Sequence, residues 1–264
     1  AQGVSPYPAA VTAQMVANFK SGGAAINAIT GSVGLELEVM ALQLDNPTAD
    51  ITAAPAMSDV ETLEALNAGA RAASGDPDIL IFGEMGIGNT TIAAALCAGA
   101  LGGAGADWVG PGTGHDVQGV ARKAAAVDQA LARTRNDGLT DAFKLLRHLG
   151  GRETAAIAGA VVAARHKRIP VVLDGYVVTA SLAPLMKLNA AILEHCIAGH
   201  VSAEPAHQKL LQMMQLSPLL DLGMRLGEGT GAALAAAIVR AAVATHTQMA
   251  TFDAAAVENR TNAG

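Results

Sequence analysis

The chain has 264 residues, of which 51% are hydrophobic but only 3% aromatic, and it carries a formal net charge of −6. A core of this composition is built from Ala, Val, Leu, Ile and Met, which is typical of helices packed closely on a sheet. The acidic balance, without a Lys/Arg cluster or an aromatic platform for bases, excludes nucleic acid as an expected partner.

The first third of the chain contains two predicted helical regions. Apolar residues at helical spacing between residues 11 and 29, with a double-glycine stop, predict a helix. Residues 32–41 are expected to continue as a helix that runs into a strand. Residues 59–73 predict an amphipathic helix whose apolar face consists of Val60, Leu63, Leu66 and Ala70.

The rest of the chain alternates strands with helices. Short apolar runs bounded by turn residues predict buried parallel strands at 78–82 and 170–174, and residues 195–200 are expected to form a turn or strand. Helices are predicted over residues 91–101, 116–134, 154–165, 178–188, 204–214 and 231–249. This alternation predicts an α/β fold with a parallel sheet covered on both faces, in which ligands gather at the carboxyl ends of the strands.

A glycine-rich turn follows the first presumed strand. Its sequence is GEMGIGNTT (residues 83–91), and it lies where backbone N–H groups and the positive end of a helix can meet an anion. The turn lacks the Lys of a Walker loop and the third Gly of the dinucleotide fingerprint. By itself it fits a phosphate site and an ordinary strand-to-helix turn equally well.

A second glycine-rich turn, Gly110 to Gly114, repeats this arrangement, with Asp116 as the expected helix cap. Two such turns at neighbouring strand ends are stronger evidence than one, because they can line one crevice and hold a phosphate with its ribose. Lys123 lies in the following helix. It is a candidate for contact with phosphate, but a solvated helix face explains its position more simply.

Two acidic residues beside glycines are further candidates. Glu228 lies between Gly227 and Gly229 ahead of the last helix, so its carboxylate can be aimed into a cleft. The alternative, an acid favoured by the helix dipole, is slightly preferred on spacing alone. Asp174 follows a strand, which suits ligand contact, although Asp-Gly is also an ordinary turn.

His200, Glu204 and His207 resemble a metal site only superficially. Their spacing matches no standard zinc motif, and Glu204 is expected to be the first acid of a helix capped by Ser202. No metal ligands are therefore expected.

The cysteines and the apolar stretches indicate in which cellular compartment the protein is expected. Cys97 and Cys196 lie in apolar settings and form no C-x-x-C pair, so no disulfide framework is expected. The apolar run from Ala232 to Val243 is shorter than the ~20 residues of a membrane span. A reducing cytoplasm and no membrane partner are expected.

Seven phrases spread over nearly the whole chain carry a family resemblance: GVSPYPAAVTAQM (3–15), GEMGIGNTT (83–91), VGPGTGHD (109–116), ARK (121–123), PVVLDGYVVTA (170–180), HVSAE (200–204) and PLLDLGMRLGEGTGAALA (218–235). In this order they resemble the nicotinate-nucleotide:dimethylbenzimidazole phosphoribosyltransferases of cobalamin biosynthesis.

The resemblance implies one catalytic domain over residues 1–264, with a Rossmann-like parallel sheet and a smaller helical subdomain contributed by the chain ends. It implies a homodimer that needs no metal or organic cofactor and takes nicotinate mononucleotide and a benzimidazole base as substrates. Family members carry a further N-terminal segment, ending in an Asp-His-Gly phrase before the GVS motif, and this chain is expected to lack it.

Carried onto this sequence, the resemblance makes Glu228 the general base that takes the proton of the benzimidazole. Lys123 and Glu84 are the other expected catalytic residues. The expected substrate contacts are Gly86, Gly88, Asn89, Thr90, Gly112, Gly114, Asp174, Ser202 and Gly227, with the base near Tyr7 and Met15.

Two other interpretations stay open at this point. One is a different nucleotide-handling α/β enzyme, against which the broken dinucleotide fingerprint counts. The other is a non-catalytic member that binds nucleotide or partners without turnover, which the expected absence of the N-terminal segment suggests. The preferred base is not set by the sequence, since a flat apolar pocket discriminates weakly between similar rings.

Overall fold

The computed structural model describes residues 3–112, 114, 116–135 and 137–258. Its regular elements are α1 (Ala10–Lys20), α2 (Ala25–Val33), α3 (Asp59–Ala72), β1 (Leu80–Phe82), α4 (Asn89–Leu101), α5 (Val117–Thr134), α6 (Ala142–Leu149), α7 (Arg152–Lys167), β2 (Val171–Leu173), α8 (Tyr176–Ala180), α9 (Ala183–Leu188), β3 (Cys196–His200), α10 (Pro205–Met213), β4 (Pro218–Leu220) and α11 (Thr230–Gln248). None of these helices, within the described part of the chain, is both long and apolar enough to cross a membrane.

The four strands form one parallel sheet in the order β1-β2-β3-β4. Because the spatial order equals the chain order, crossovers of one hand place the intervening helices on a single face. Val171 and Leu173 of β2 face the large cluster formed by those helices, whereas Val172 packs against Ala232 and Ala235 of α11 on the opposite face. The predicted α/β fold with helices on both faces is confirmed.

The two N-terminal helices and the start of α11 meet in a small apolar cluster, called the cluster of chain ends below. Its buried members are Phe19, Ala24, Ile26 and Ala233, and Met15 and Met85 pack against it. The Arg240 guanidinium on α11 also donates hydrogen bonds to the carbonyls at the end of α2. This cluster brings the N-terminal helices to the same end of the sheet as the start of α11.

The helices α3 and α7 cross at two glycines. A Cβ atom on Gly69 would overlap the Ala156 carbonyl, and one on Gly159 would overlap the Leu66 carbonyl. The predicted helix over residues 59–73 is confirmed, but its predicted apolar face is wrong. Val60 and Leu63 are 65% and 54% exposed, because so close a crossing requires the small side chains of the opposite face. That buried face consists of Thr62, Ala65, Ala68 and Gly69.

The predicted strand near residues 32–41 is also wrong. Gly34 adopts a left-handed conformation (φ 64°) that ends α2, and residues 35–43 are irregular. Leu35 and Val39 pack against the cluster of chain ends instead of pairing with a neighbouring strand. The apolar residues of this segment therefore serve side-chain packing and not a sheet.

Three elements of the second half differ from the prediction. The single helix expected over residues 178–188 is two helices, α8 and α9, because Pro184 lies in the first turn of α9 and has no N–H to continue a helix. The sequence prediction omitted α6 and β4. The strand β4 has three residues and begins with Pro218, which suits a short edge strand.

Candidate active site

Three turns meet at the carboxyl end of the sheet. The turn after β1 touches the turn before α11 so closely that a Cβ atom on Gly83 would overlap the backbone of Glu228 and Gly229. Asp174, directly after β2, accepts hydrogen bonds from the backbone N–H groups of Gly229 (3.1 Å) and Ala232 (3.0 Å). The backbone that carries Glu228 is therefore anchored on the centre of the sheet.

The turn before α11 has an unusual backbone. Gly227, Glu228 and Gly229 have φ values of 82°, 64° and 85°. Glycine tolerates this left-handed region, but for Glu228 it costs roughly 1–2 kcal/mol. The strain is retained at a residue whose side chain faces the start of α2, and backbone strain of this kind is concentrated at functional sites.

The Glu228 carboxyl group faces the start of α2. The backbone N–H of Ile26 donates a hydrogen bond to it, while its Oε2 atom is buried and has no hydrogen-bond partner among the described residues. Burial raises the pKa of Glu228, the Ile26 bond lowers it, and the charge of Asp174 raises it, with a net upward shift. A carboxylate with one orphan oxygen and a raised pKa is suited to accept a proton.

Glu84 lies beside this turn as a second carboxyl group. Its backbone carbonyl accepts from the Glu228 N–H (3.3 Å), and its side chain accepts from the Asn89 amide. Burial, with the charges of Glu153, Asp174 and Glu228, raises the pKa of Glu84 to about 8. Glu84 is therefore largely protonated at neutral pH.

Glu153, at the start of α7, belongs to the same acidic cluster, and sequence reasoning missed it. Its Oε1 would lie 3.2 Å from a Cβ atom on Gly86, and burial raises its pKa. The phrase GGRETA gives no signal for this role, because Glu is common in the first turn of a helix.

The helix α4 presents its positive end to the same place. Its N-cap, Gly88, has φ 85° and no side chain to satisfy the first N–H groups. Val4 lies against Gly88, so the GVS phrase passes directly by this turn. Such an uncapped helix start favours an anion.

Lys123 is buried, and the simpler interpretation of it as a solvated helix lysine is wrong. Its side chain is 2% exposed, and its ammonium group donates to Thr90 Oγ1 (3.0 Å) and to the Gly110 carbonyl (3.1 Å). Thr90 follows Asn89, which binds Glu84. Two consecutive residues of α4 thus connect the lysine and the acidic cluster.

The second glycine-rich turn, called the Gly112 turn below (residues 110–112 and 114), is held from two sides. Glu204 Oε1 accepts from the Gly112 N–H (2.7 Å), and the Arg225 guanidinium donates to its carbonyl (2.8 Å). The Gly112 N–H is thus occupied within the protein. A Cβ atom on Gly112 would lie 2.7 Å from Lys123 Nζ, so glycine keeps the space beside the ammonium open.

Asp174, which the sequence predicts as a substrate contact, supports the Glu228 turn from the side of the sheet. Asp174 is 1% exposed and lies behind the Glu228 turn, where both carboxylate oxygens accept backbone N–H groups. His200 lies on its other side, with Nδ1 at 3.6 Å. We assign Asp174 to positioning of the Glu228 turn.

The expected helix cap by Ser202 is wrong, because Glu204 is the N-cap residue of α10 and Pro205 follows it. The Ser202 backbone N–H instead donates to His207 Nδ1 (2.9 Å). Burial lowers the pKa of His207 to about 3, so its ring is neutral. Among the described residues no group of three or more His, Cys, Asp or Glu is arranged to hold a metal ion.

The residues expected near the base lie on the chain-end side of the cleft. Tyr7 is 48% exposed ahead of α1. Met15 of α1 and Met85 of the turn after β1 both pack against the cluster of chain ends. Gly114 has φ 127° with open space around it. Of the sequence-predicted residues, Glu228, Glu84 and Asn89 lie together at one centre. Lys123, Thr90 and Gly112 lie together at an adjacent one.

The chain's single tryptophan, Trp108, precedes the Gly112 turn in the sequence and is buried beside it. Trp108 is 1% exposed, and its carbonyl accepts from the Tyr176 hydroxyl (2.7 Å). The ammonium of Lys209 lies 4.2 Å from the centre of its ring, a cation–π distance. The Gly112 turn thus begins two residues after a buried tryptophan.

Comparison with known proteins identifies the family. A family model described as "Phosphoribosyltransferase" matches residues 1–257. A nicotinate-nucleotide–dimethylbenzimidazole phosphoribosyltransferase of Novosphingobium aromaticivorans is 58% identical over 255 residues, which are 97% of this chain and 75% of that protein. The chain belongs to this phosphoribosyltransferase family. It spans about three quarters of the length of that relative.

Other members of the family agree. A relative with the same name from Rhizobium meliloti is 54% identical over 259 residues, covering 98% of this chain and 76% of that protein. The crystal structure of CobT from Thermus thermophilus is similar with a TM-score of 0.88 and 40% identity, over 98% of this chain and 83% of that one. The enzyme class is that of the pentosyltransferases.

Proposed function

We propose that this chain transfers the phosphoribosyl group of nicotinate mononucleotide to 5,6-dimethylbenzimidazole, giving α-ribazole 5′-phosphate and nicotinate, with Glu228 as the general base. The observation that carries this proposal is the buried, unpaired Oε2 of Glu228 on a strained backbone. It is supported by membership of a family whose relatives carry the name of this reaction.

The chemistry needs one proton acceptor. One ring nitrogen of the benzimidazole attacks C1′ as the bond from C1′ to nicotinate breaks, and the proton on the other nitrogen passes to Glu228. A general base of this kind contributes typically ~10²–10⁴-fold to the rate. Glu84, with a pKa of about 8, is the neutral neighbour at pH 7, so Glu228 can stay ionised beside it.

The phosphoribosyl group is placed by charge and backbone. In this proposal the phosphate lies between the start of α4 and the ammonium of Lys123, where the helix dipole and the lysine both favour an anion. Positive charge develops on the ribose in the transition state, and the ionised carboxylate of Glu228 stabilises it. The remaining substrate contacts proposed are Gly86, Gly88, Asn89, Thr90, Gly112, Gly114, Ser202 and Gly227.

The base is proposed to stack near Tyr7 and Met15. Met15 packs against the same apolar cluster as Met85, and that cluster contains Ile26, whose backbone bonds to Glu228. We further propose that residues 1–264 form one catalytic domain, that the enzyme works as a homodimer, and that it acts in the cytoplasm. Both cysteines are buried free thiols, as suits a reducing compartment.

A Glu228→Gln substitution tests the function. The amide has nearly the same shape but accepts a proton poorly, so we expect kcat to fall roughly 10²–10⁴-fold while nicotinate mononucleotide binds with nearly unchanged affinity. Product is measured by chromatography of the purified chain with both substrates, and binding by calorimetry.

The matched control is Glu194→Gln, on the surface, where the side chain pairs with Arg165 far from the cleft. It is expected to turn over like the wild type. An unaltered rate in Glu228→Gln would contradict the assignment of Glu228 as the general base. A wild-type chain that binds the nucleotide but forms no product would be a non-catalytic binder.

A further inference from the structure

Glu204 is a buried carboxylate to which the reaction described above gives no role. It is 8% exposed and joins two segments that are far apart in sequence, because its Oε1 accepts from the N–H of Gly112. Its Oε2 is buried without a hydrogen-bond partner among the described residues and lies against Gly110. A buried carboxylate oxygen left unpaired is costly unless a nearby positive charge compensates for it.

The capping of α10 does not explain this side chain. Glu204 occupies the N-cap position, but it makes no side-chain cap hydrogen bond. Its carboxylate instead reaches across to the Gly112 turn, so the acidic side chain binds the turn and leaves the helix start uncapped. If Glu204 served only to cap α10, its carboxylate would accept a hydrogen bond from a backbone N–H group of that helix.

The ammonium of Lys123 is a positive charge on the same turn. Lys123 binds the carbonyl of Gly110, the residue against which Glu204 Oε2 lies. Burial lowers the pKa of Lys123, and the attraction of Glu204 opposes this. Lys123 and Glu204 therefore both contact Gly110, from opposite sides of one short turn.

Other charged or titratable groups around this pair do not replace Glu204. Arg225, from the segment before α11, is positive and binds the Gly112 carbonyl. Tyr176 on α8 has a pKa raised well above its ordinary value by burial, and His207 on α10, whose pKa burial lowers, is neutral. Among these groups, Glu204 supplies the negative charge.

We propose that Glu204 is a positioning residue for phosphoribosyl transfer, which holds the Gly112 turn in place and supplies the counter-charge of the buried Lys123 ammonium. The proposal rests on the proposed function, in which Lys123 binds the phosphate of the nucleotide. Glu204 touches neither substrate. It acts through Lys123 and through the backbone of Gly112.

The test is a Glu204→Gln substitution in the whole chain. The Gln amide oxygen can still accept from the Gly112 N–H, so the variant removes charge and keeps the hydrogen bond. We expect the KM for nicotinate mononucleotide to rise about tenfold or more, with the KM for the base unchanged.

The pH dependence distinguishes positioning from a merely structural role. Lys123 binds phosphate only when charged, so nucleotide affinity is lost as pH rises through its pKa. Without Glu204 that pKa falls further, and the loss of affinity occurs at lower pH. The nucleotide affinities of the wild type and of Glu204→Gln are also compared with Glu84→Gln present in both proteins. The pKa of the Glu84 carboxyl group is about 8, so its ionisation would otherwise change the charge of the site in the same pH range.

The outcomes separate this proposal from the proposed function. A wild-type chain without product formation overturns the function itself. An active wild type with a Glu204→Gln variant that matches Glu194→Gln in nucleotide KM and in pH dependence overturns the role of Glu204. Should Glu204→Gln not fold, Glu204→Asp decides instead: it keeps the charge but is too short for Gly112, so a wild-type nucleotide KM there also overturns the proposal.

Discussion

At the scale of single residues, the site depends on a residue in an unfavourable conformation. Glu228 has φ 64° between two glycines that share its left-handed region. Spacing alone left it indistinguishable from an acid that complements a helix dipole. The distinguishing facts, an orphan oxygen and a bond from Ile26, depend on a contact between residues about 200 positions apart, which no local pattern encodes.

The strain at Glu228 predicts a stability difference between two inactive variants. Glu228→Gly tolerates the left-handed backbone and Glu228→Ala does not, so we expect the glycine variant to have a free energy of unfolding about 1 kcal/mol higher. Urea denaturation measures the difference.

The control for this pair is Ala241→Gly, at an exposed interior position of α11. There glycine is expected to lower the free energy of unfolding by roughly 0.5–1 kcal/mol. If Glu228→Ala and Glu228→Gly were equally stable, the backbone at residue 228 would not be strained.

At the scale of elements, the sequence predicted most helices and the strands β1 and β2, but not how the helices face each other. Asp59–Ala72 is a helix as its periodicity indicates, yet the large apolar residues Val60 and Leu63 point outwards. Periodicity assumes that large side chains are buried. The crossing with α7 instead buries glycine and alanine, and that preference depends on a partner helix about 90 residues away.

The glycine crossing predicts an unusual effect of alanine. Gly159→Ala improves helix propensity, but its methyl group would overlap the Leu66 carbonyl, so we expect it to lower the free energy of unfolding by roughly 1–3 kcal/mol. Thermal or urea unfolding followed by circular dichroism gives the value.

Gly31→Ala is the matched control, because Gly31 lies in α2 with open space where the methyl group would be. It is expected to raise the free energy of unfolding by about 0.5–1 kcal/mol. Stabilisation by Gly159→Ala as well would show that α3 and α7 can separate without cost.

At the scale of the whole molecule, the acidic cluster couples folding to pH. The pKa of Glu84 is 4.5 in the unfolded chain and about 8 in the folded chain, so the folded chain holds this proton to a higher pH. Between these values the folded state binds more protons, so this group makes the protein less stable as pH rises from about 4.5 to about 8.

We therefore expect Glu84→Gln to reduce the fall in melting temperature between pH 5 and pH 8 (roughly the interval between the two pKa values). The variant has no proton to lose in either state. Differential scanning calorimetry across this range measures the effect, with the exposed Glu38→Gln as control. Parallel pH curves for Glu84→Gln and wild type would contradict the raised pKa.

The overall architecture was predictable because strand and helix alternation constrains a parallel sheet strongly, and the ordered phrases constrained the site further. What the sequence did not supply was burial. Lys123 resembles a surface lysine of α5 but is 2% exposed, and Glu204 resembles the first acid of a helix but binds Gly112. Both facts arise from the packing of α4, α5 and α10 around one turn.

The position of Trp108 has a practical consequence. The protein has one tryptophan, and its backbone leads within two residues to the turn that Lys123, Glu204 and Arg225 hold. The intrinsic fluorescence of the unlabelled enzyme therefore reports on a single location. A change in emission on adding nucleotide would be a direct optical signal from the Gly112 turn, obtainable in stopped-flow time courses before any product is released.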